Sequence, residues 1–448
     1  MPERDCAGGT TRPSAGTTTG HAALGRGAIR WVHPSTALSV LEDEHHLGRD
    51  AACDTVLLGD EVSRRHARIR VRGAFPVITD LGSRNGVFVN GQREKERLLA
   101  PGDVVRIGEW VGLVVLLDLG QARPYELTEI ADGWYGGPSL LELTERVRRV
   151  APKDLAVVVQ GETGAGKEGI ARAVHAWSGR AGAFVDVDCG TLPENLAESH
   201  LFGHRKGAFT GADREHDGYF RAAARGTLFL DEILNLSLSL QAKLLRAIER
   251  REIIPLGDSR PVPVDVRIVC AAQSPLKQAV EAHRFREDLL ARLDGFTVVL
   301  PPLRERREDV IPLFKRLLAE LPGGAGRDLE PRLAEALLLH DWPRNVRGLV
   351  GVARHLLAVH DDACVFRRSM LPGEVLEPGP HPAYPAFRRP SAPVDDPDAF
   401  EALVSAMQLH GGNVSKAADA LGISRSRANR LLDAHPEYDR TRARKERQ

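Results

Sequence analysis

Leu155-Ala156-Val157-Val158-Val159, then Gly161-Glu162-Thr163-Gly164-Ala165-Gly166-Lys167, then a helix-forming run from Glu168 to Trp177, is the stretch that decides the central fold. An unbroken apolar run reads as a strand buried on both faces. The glycines behind it let backbone N–H groups approach an anion, and the start of the next helix favours negative charge. Lys167 is spaced to reach the terminal phosphates of a nucleotide. Loops of this kind usually continue with a Ser or Thr that ligates Mg²⁺; here Glu168 follows the lysine. Residues 161–168 are therefore the candidate ATP-binding loop. The plainer reading, a glycine-rich turn before a helix, does not account for the strand upstream.

Working outward, Gly226-Thr227-Leu228-Phe229-Leu230-Asp231-Glu232 is a second apolar strand, ending in two carboxylates. Beside a phosphate loop, Asp231 would orient Mg²⁺ and Glu232 would polarise the attacking water. Arg267 to Ala271 is a further buried strand, so the spacing predicts a mostly parallel sheet with helices across residues 138–371. Residues 28–118 read differently: Ile69 and Val71 alternate with arginines, Val104 to Ile107 opens another strand, and Gly/Asn-rich turns separate the runs, as in a β-sandwich. Prolines crowd residues 372–397, an extended linker. The expected order is a disordered tail at 1–27, the sandwich at 28–118, a linker at 119–133, the α/β domain with its helical lid at 134–371, the Pro-rich linker, a small all-α domain at 398–437 and a charged tail at 438–448. The fold class is multidomain.

Composition limits what else the chain can be. In 448 residues, 61 basic and 61 acidic side chains balance, so any contact with DNA has to come from a local patch. The five cysteines are scattered and odd in number, which fits a reducing cytosol better than a disulfide framework or a metal site. The expected location is the cytoplasm.

Between the phosphate loop and the acidic strand end lies Gly207-Ala208-Phe209-Thr210-Gly211-Ala212. Its apolar area is too small to fill a core, so it reads as a loop tip whose Phe209 touches something else. This hexamer resembles the signature of the AAA+ ATPases that activate sigma-54 RNA polymerase, the bacterial enhancer-binding proteins. The resemblance spans roughly residues 134–370. It implies that residues 207–212, Phe209 and Thr210 above all, contact sigma-54. It also implies that Arg286 and Arg292, in Phe285-Arg286-Glu287-Asp288-Leu289-Leu290-Ala291-Arg292-Leu293, act as arginine fingers on a neighbouring subunit of a ring, by resemblance a hexamer. In Trp342-Pro343-Arg344-Asn345-Val346-Arg347, Arg347 would be the lid residue that reports nucleotide state. A glutamate after the lysine is common in this family, which leaves Mg²⁺ to Asp231 and water.

Some positions depart from the family's pattern. Arg344 stands for the usual Gly and Gly348 for Glu, and the strand 267–273 ends in Ala-Ala-Gln in place of Ala-Thr-Asn. Asp188 occupies the position of an asparagine that holds the catalytic glutamate inactive in well-known members. A carboxylate does not donate that bond unless protonated. Two readings follow: altered coupling between hydrolysis and target contact, or an aspartate that only caps its loop.

Gly48-Arg49, Ser63-Arg64-Arg65-His66 and Ser83-Arg84-Asn85-Gly86 are three loop motifs in the β region. Together they resemble the forkhead-associated (FHA) domain, a reader of phosphothreonine peptides. Arg49 offers a forked donor, Ser63 a hydroxyl, and Arg64 and Arg84 further charge. Asn85 would hold the peptide backbone, and His66 would brace the loop. Near the end, residues 411–432 fit a helix-turn-helix and resemble the Fis-type domain of the same family. Ser424 caps the second helix, and Arg425, Arg427, Asn429 and Arg430 line a face suited to DNA.

These readings converge on a sigma-54-dependent transcriptional activator. It binds upstream DNA, senses a phosphothreonine protein (a Ser/Thr kinase or its substrate) and spends ATP to remodel the holoenzyme for open-complex formation. Two alternatives stay open: a phosphothreonine-binding adaptor or repressor with an impaired ATPase, and an AAA+ machine with another target.

Overall fold

The computed structural model describes residues 26–72, 75–117 and 125–376, together with positions 403, 404, 407, 414, 428 and 432. The chain divides into two compact units, residues 1–380 and 381–448. In the second, the described positions are helical, with Leu403, Met407, Ala428 and Leu432 buried. Residues 1–25 of the tail expected at 1–27, most of the Pro-rich linker, the DNA-facing residues Ser424, Arg425, Arg427, Asn429 and Arg430, and the charged tail lie outside the described residues.

The N-terminal part is a β-sandwich. One sheet has the order Ala37–Val40, Arg26–His33, Trp110–Leu117, Val104–Ile107, Val87–Val89, Gln92–Glu94; the other runs Thr55–Val56, Glu44–Gly48, Ala67–Arg72, Phe75–Asp80, Glu96–Leu98. Ile29, Trp31, Leu47, Ile69, Ile78, Val105 and Ile107 fill the space between the sheets, as alternation along each strand requires. The first strand starts at Arg26, two residues before the expected boundary.

In Val104–Ile107 all four residues are buried. Val105 and Ile107 face the sandwich core, whereas Val104, with Val32, Val111 and Leu113, shares a core with Phe314, Leu333, Leu337 and Trp342 of the helical lid. Both faces of this sheet are therefore covered. Arg106, on the lid side, is buried against Glu335 (Nε–Oε2 2.9 Å) and lies over the Phe88 ring at 3.8 Å. The sandwich is fused to the lid through a common apolar interior.

The central sheet is five-stranded and wholly parallel, in the order Phe184–Asp188, Thr227–Asp231, Arg267–Ala272, Val157–Gln160, Phe296–Val299. Parallel pairing brings the C-terminal ends of all five strands to one edge, where ligands of open α/β sheets bind. The lid consists of Val310–Glu320, Pro331–Leu339 and Asn345–Val359.

Two stretches expected as linkers are partly folded. Within 119–133, Tyr125 is buried and Thr128–Ala131 pairs with Trp134–Gly136 as a hairpin. Ile130 and Trp134 give it enough apolar surface to pack on the core behind the phosphate loop, which a Pro/Gly-based reading of linkers overlooks. Similarly, Gly373–Leu376 is a short helix whose Val375 completes the lid core, so the described end of that domain lies beyond residue 371.

Candidate functional site

Gly164 (φ 74°) and Gly166 (φ 109°) adopt left-handed backbone, a conformation that favours glycine, and the Ala165 N–H between them closes a turn onto the Glu162 carbonyl at 3.2 Å. The helix Lys167–Ser178 follows directly. Lys167 is buried, its ammonium donating to the carbonyls of Gly161 (3.1 Å) and Glu162 (3.4 Å). Those are weak acceptors for a full charge, so the lysine is held at the mouth of the loop, able to turn to phosphate oxygens. Glu168 is placed otherwise than a cofactor contact requires. Its carboxylate pairs with Arg172 one turn on, exposed on the helix surface.

Asp231 ends the second strand of the sheet, with Glu232 directly after it and Asp188 opposite Asp231 in parallel register. Burial raises the Asp231 carboxyl above its usual range, and the nearby Lys167 charge offsets part of that. Glu232 sits in left-handed backbone (φ 53°, ψ 46°), and its N–H donates to Asp231 Oδ1 at 2.9 Å. A triphosphate with a divalent cation fits this set: a lysine, a glycine-bent loop leading into a helix N-terminus, and hard carboxylate oxygens on adjacent strand ends. Asp188 Oδ1 accepts the Gly190 N–H at 2.8 Å, so of its two readings the capping one describes the geometry.

Sequence reasoning missed the brace behind the loop. Asn345, fully buried with φ 49°, accepts the Leu303 N–H at 2.7 Å and donates to the Thr163 carbonyl at 3.0 Å and to Glu162 Oε2 at 3.1 Å. Arg304 grips the same Glu162 carboxylate with two bonds, 2.8 and 2.6 Å, and holds it below the usual glutamate range. The Glu162 side chain is thus a strut to the lid. Arg306 donates to the Ala165 carbonyl at 2.9 Å and pairs with Asp309, which accepts the Tyr125 hydroxyl at 2.7 Å. A side chain on Gly164 would begin 2.9 Å from the Arg347 Cβ, which places that exposed arginine beside the phosphate loop.

Arg286 pairs with Asp288 at 2.6 Å, and Arg292 is exposed on the helix Glu287–Leu293. The hexamer 207–212 closes on itself through Gly207 N–H to the Ala212 carbonyl (2.8 Å), with Gly207 and Gly211 in left-handed backbone. Phe209 is half-buried, its ring 5.0 Å from that of His204, while Thr210 is exposed. The phenylalanine expected to reach outward is stowed here.

At one end of the sandwich the three loop motifs meet. The Ser63 hydroxyl accepts the Arg84 N–H (3.2 Å), the Arg49 N–H donates to the Ser63 carbonyl (3.0 Å), and Asn85 donates to the Glu61 carbonyl (2.8 Å). Arg49 lies 3.7 Å from Asp60, and Arg64 is exposed beside them. His66 is fully buried, and burial holds its pKa below the ordinary histidine value. Its Nδ1 accepts the Ser63 N–H at 3.0 Å, so Nε2 carries the proton and donates to the Gly86 carbonyl at 3.1 Å. The histidine braces the loops.

A parallel sheet with a lysine-bearing phosphate loop, two carboxylates at the end of the next strand but one and a helical lid defines a P-loop ATPase fold of the AAA+ class, here joined to an FHA-like sandwich. The sequence matches the Sigma-54 interaction domain at residues 136–299, the AAA+ ATPase lid domain at 304–385, the FHA domain at 45–108 and the Bacterial regulatory protein, Fis family, at 400–427. The chain is 40% identical over 313 residues to the transcriptional regulatory protein FlbD of Caulobacter vibrioides, covering 66% of this chain and 69% of that one. It is 41% identical over 304 residues to the hydrogenase transcriptional regulatory protein HoxA of Cupriavidus necator, covering 64% and 62%. The crystal structure of NtrX from Brucella abortus superposes with a TM-score of 0.51 at 30% identity, over 67% of this chain and 68% of that one. The chain therefore belongs to the sigma-54-dependent transcriptional regulators. It spans 62%, 41% and 34% of HoxA, of the Escherichia coli regulator UacR and of the Azospirillum lipoferum Nif-specific regulator.

Proposed function

We propose that the chain is a cytoplasmic sigma-54-dependent activator that hydrolyses ATP to remodel the polymerase holoenzyme. The observation that carries this is the convergence of Lys167, Asp231 and Glu232 at one edge of a parallel sheet. The hexamer 207–212 leaves the same domain as a self-closed tip. In this reading the loop N–H groups and Lys167 hold the phosphates, Asp231 holds Mg²⁺, and Glu232 orients the attacking water. Mg²⁺ supplies charge neutralisation on the phosphate oxygens. Arg347 senses the bound nucleotide. The exposure of Arg292 and the surface pairing of Arg286 support a role in trans, in a ring whose expected size is six. Phe209 leaves His204 to meet sigma-54 when the nucleotide state changes.

The sandwich end formed by Arg49, Ser63, Arg64, Arg84 and Asn85 takes a phosphothreonine segment, and the shared core with the lid carries that input to the ATPase. The Fis-type segment, through Ser424, Arg425, Arg427, Asn429 and Arg430, binds upstream DNA. ATPase rate against protein concentration tests the catalytic part. Activity should rise steeply with concentration, vanish in Lys167→Ala, and be restored in part when Arg292→Ala subunits are mixed with Lys167→Ala subunits. Turnover that is linear in concentration and insensitive to both substitutions would refute a trans-acting ring.

A further inference from the structure

Gln273 directly follows the strand Arg267–Ala272, which lies between the phosphate-loop strand and the Asp231 strand. Its Nε2 donates to Glu232 Oε1 at 2.6 Å, and among the described residues this is the one hydrogen bond on that carboxylate. The Glu232 backbone is fixed by its left-handed turn and by its N–H bond to Asp231, so the side chain's direction is set by what holds its far end. Asp188, across the Asp231 strand, is an acceptor occupied with the Gly190 N–H and offers Glu232 no donor. Lys167 is likewise occupied with loop carbonyls.

We propose that Gln273 is the positioning residue that parks Glu232, holding one carboxylate oxygen against the end of its own strand and thereby restraining resting hydrolysis. This rests on the reading of Glu232 as the group that orients water. The bond is short, charge-assisted and open to solvent, strong enough to bias the carboxylate and weak enough to exchange. The glutamine amide can be drawn to phosphate oxygens when nucleotide enters the neighbouring loop. The restraint then passes from the base to the substrate, and Glu232 is freed only when the site is filled. The side-chain length matters: an asparagine at the same position is one methylene shorter than the observed contact requires.

The test uses the full chain, with Gln273→Ala and with Gln273→Met, which keeps length and removes the donor. Because Gln273 is exposed, neither change disturbs the core. Basal kcat should rise about three- to tenfold, the discounted effect of losing one solvent-open bond to a charged group, with KM changed less than about twofold. Gln273→Asn should behave like the alanine variant. In a Glu232→Gln background, Gln273→Met should leave the residual single-turnover rate unchanged, because the glutamine acts through that carboxylate. A fall in kcat, an unchanged kcat, or the same increase in the Glu232→Gln background overturns the proposal. Wild-type turnover that is lost in Lys167→Ala but equalled by the Gln273 variants sinks this inference alone. Absence of turnover in the wild type at any concentration sinks the reading of Glu232 and this inference with it.

Discussion

Replacing Glu335 by alanine removes the carboxylate from a buried ion pair that joins the sandwich to the lid. Arg106 and Glu335 keep only 9% and 6% of their side-chain surface, so the guanidinium left behind has little water to turn to. Breaking such a pair from one side costs about 3–5 kcal/mol. Arg106 keeps the face of Phe88 at 3.8 Å, which returns part of that, so about 3 kcal/mol is expected here. For a cooperative unit of 150–250 residues this lowers the transition by about 6–12 °C. Differential scanning calorimetry of the full chain should show the transition containing the sandwich and lid moving down by that amount. The paired replacement Arg106→Met with Glu335→Leu should recover most of the loss, since apolar side chains of similar size suit a site already walled by Val104 and Leu337. Shifts under about 2 °C in the single variant would mean the pair is open to solvent, and with it the sandwich–lid seam.

Burial, aided by the Lys315 charge, holds His33 down to about 4 from an ordinary value near 6.5. The unfolded chain takes up a proton below about 6.5 while the folded chain does not until about 4, so stability should fall across that window by about 3 kcal/mol. His33→Gln should flatten this acid limb in urea titrations at pH 7 and pH 5; an identical pH dependence would count against it. Asn345→Ala strands the Leu303 N–H and the Thr163 carbonyl and should weaken binding of a fluorescent ATP analogue about tenfold or more, on the scale of losing about two buried hydrogen bonds. Unchanged affinity would show the brace to be irrelevant to the loop. Burial raises the thiol pKa of Cys189 and pushes that of Cys270 up to about 12, whereas Cys364 is exposed. A thiol reagent at neutral pH should label Cys364 in the native protein and reach Cys189 and Cys270 only after unfolding, as mass spectrometry of the labelled peptides will tell.

Most of the architecture could be read in advance because its signals are local. The apolar run before Gly161 and the run before Asp231 announced buried parallel strands, and alternation around Ile69 announced a sandwich. What escaped was long-range. Val104-Val105-Arg106-Ile107 reads as a short strand, and nothing in it foretells that Arg106 meets a carboxylate 229 residues away. Asn345 figures in the sequence only as one member of the lid motif 342–347; its three bonds to the loop and to Leu303 exist only because the lid folds back. Glu162 and Glu168, counted with the phosphate loop by adjacency, spend their carboxylates on Arg304 and Arg172. Motif spacing places a backbone and leaves the side chain's partner to tertiary packing. Gln273 lay in plain view as a lengthened amide, yet its hold on Glu232 required the two strand ends to be set side by side.

The most direct test of the account is open-complex formation on a supercoiled sigma-54 promoter bearing an upstream site. Purified protein, sigma-54 holoenzyme and hydrolysable ATP would be compared with a non-hydrolysable analogue and with Phe209→Ala. Heparin-resistant open complexes that need hydrolysis and are lost in Phe209→Ala, while its ATPase persists, are the result predicted. Open complexes that survive Phe209→Ala, or form without hydrolysis, would contradict the claim that this chain couples its ATPase to sigma-54 through the 207–212 tip.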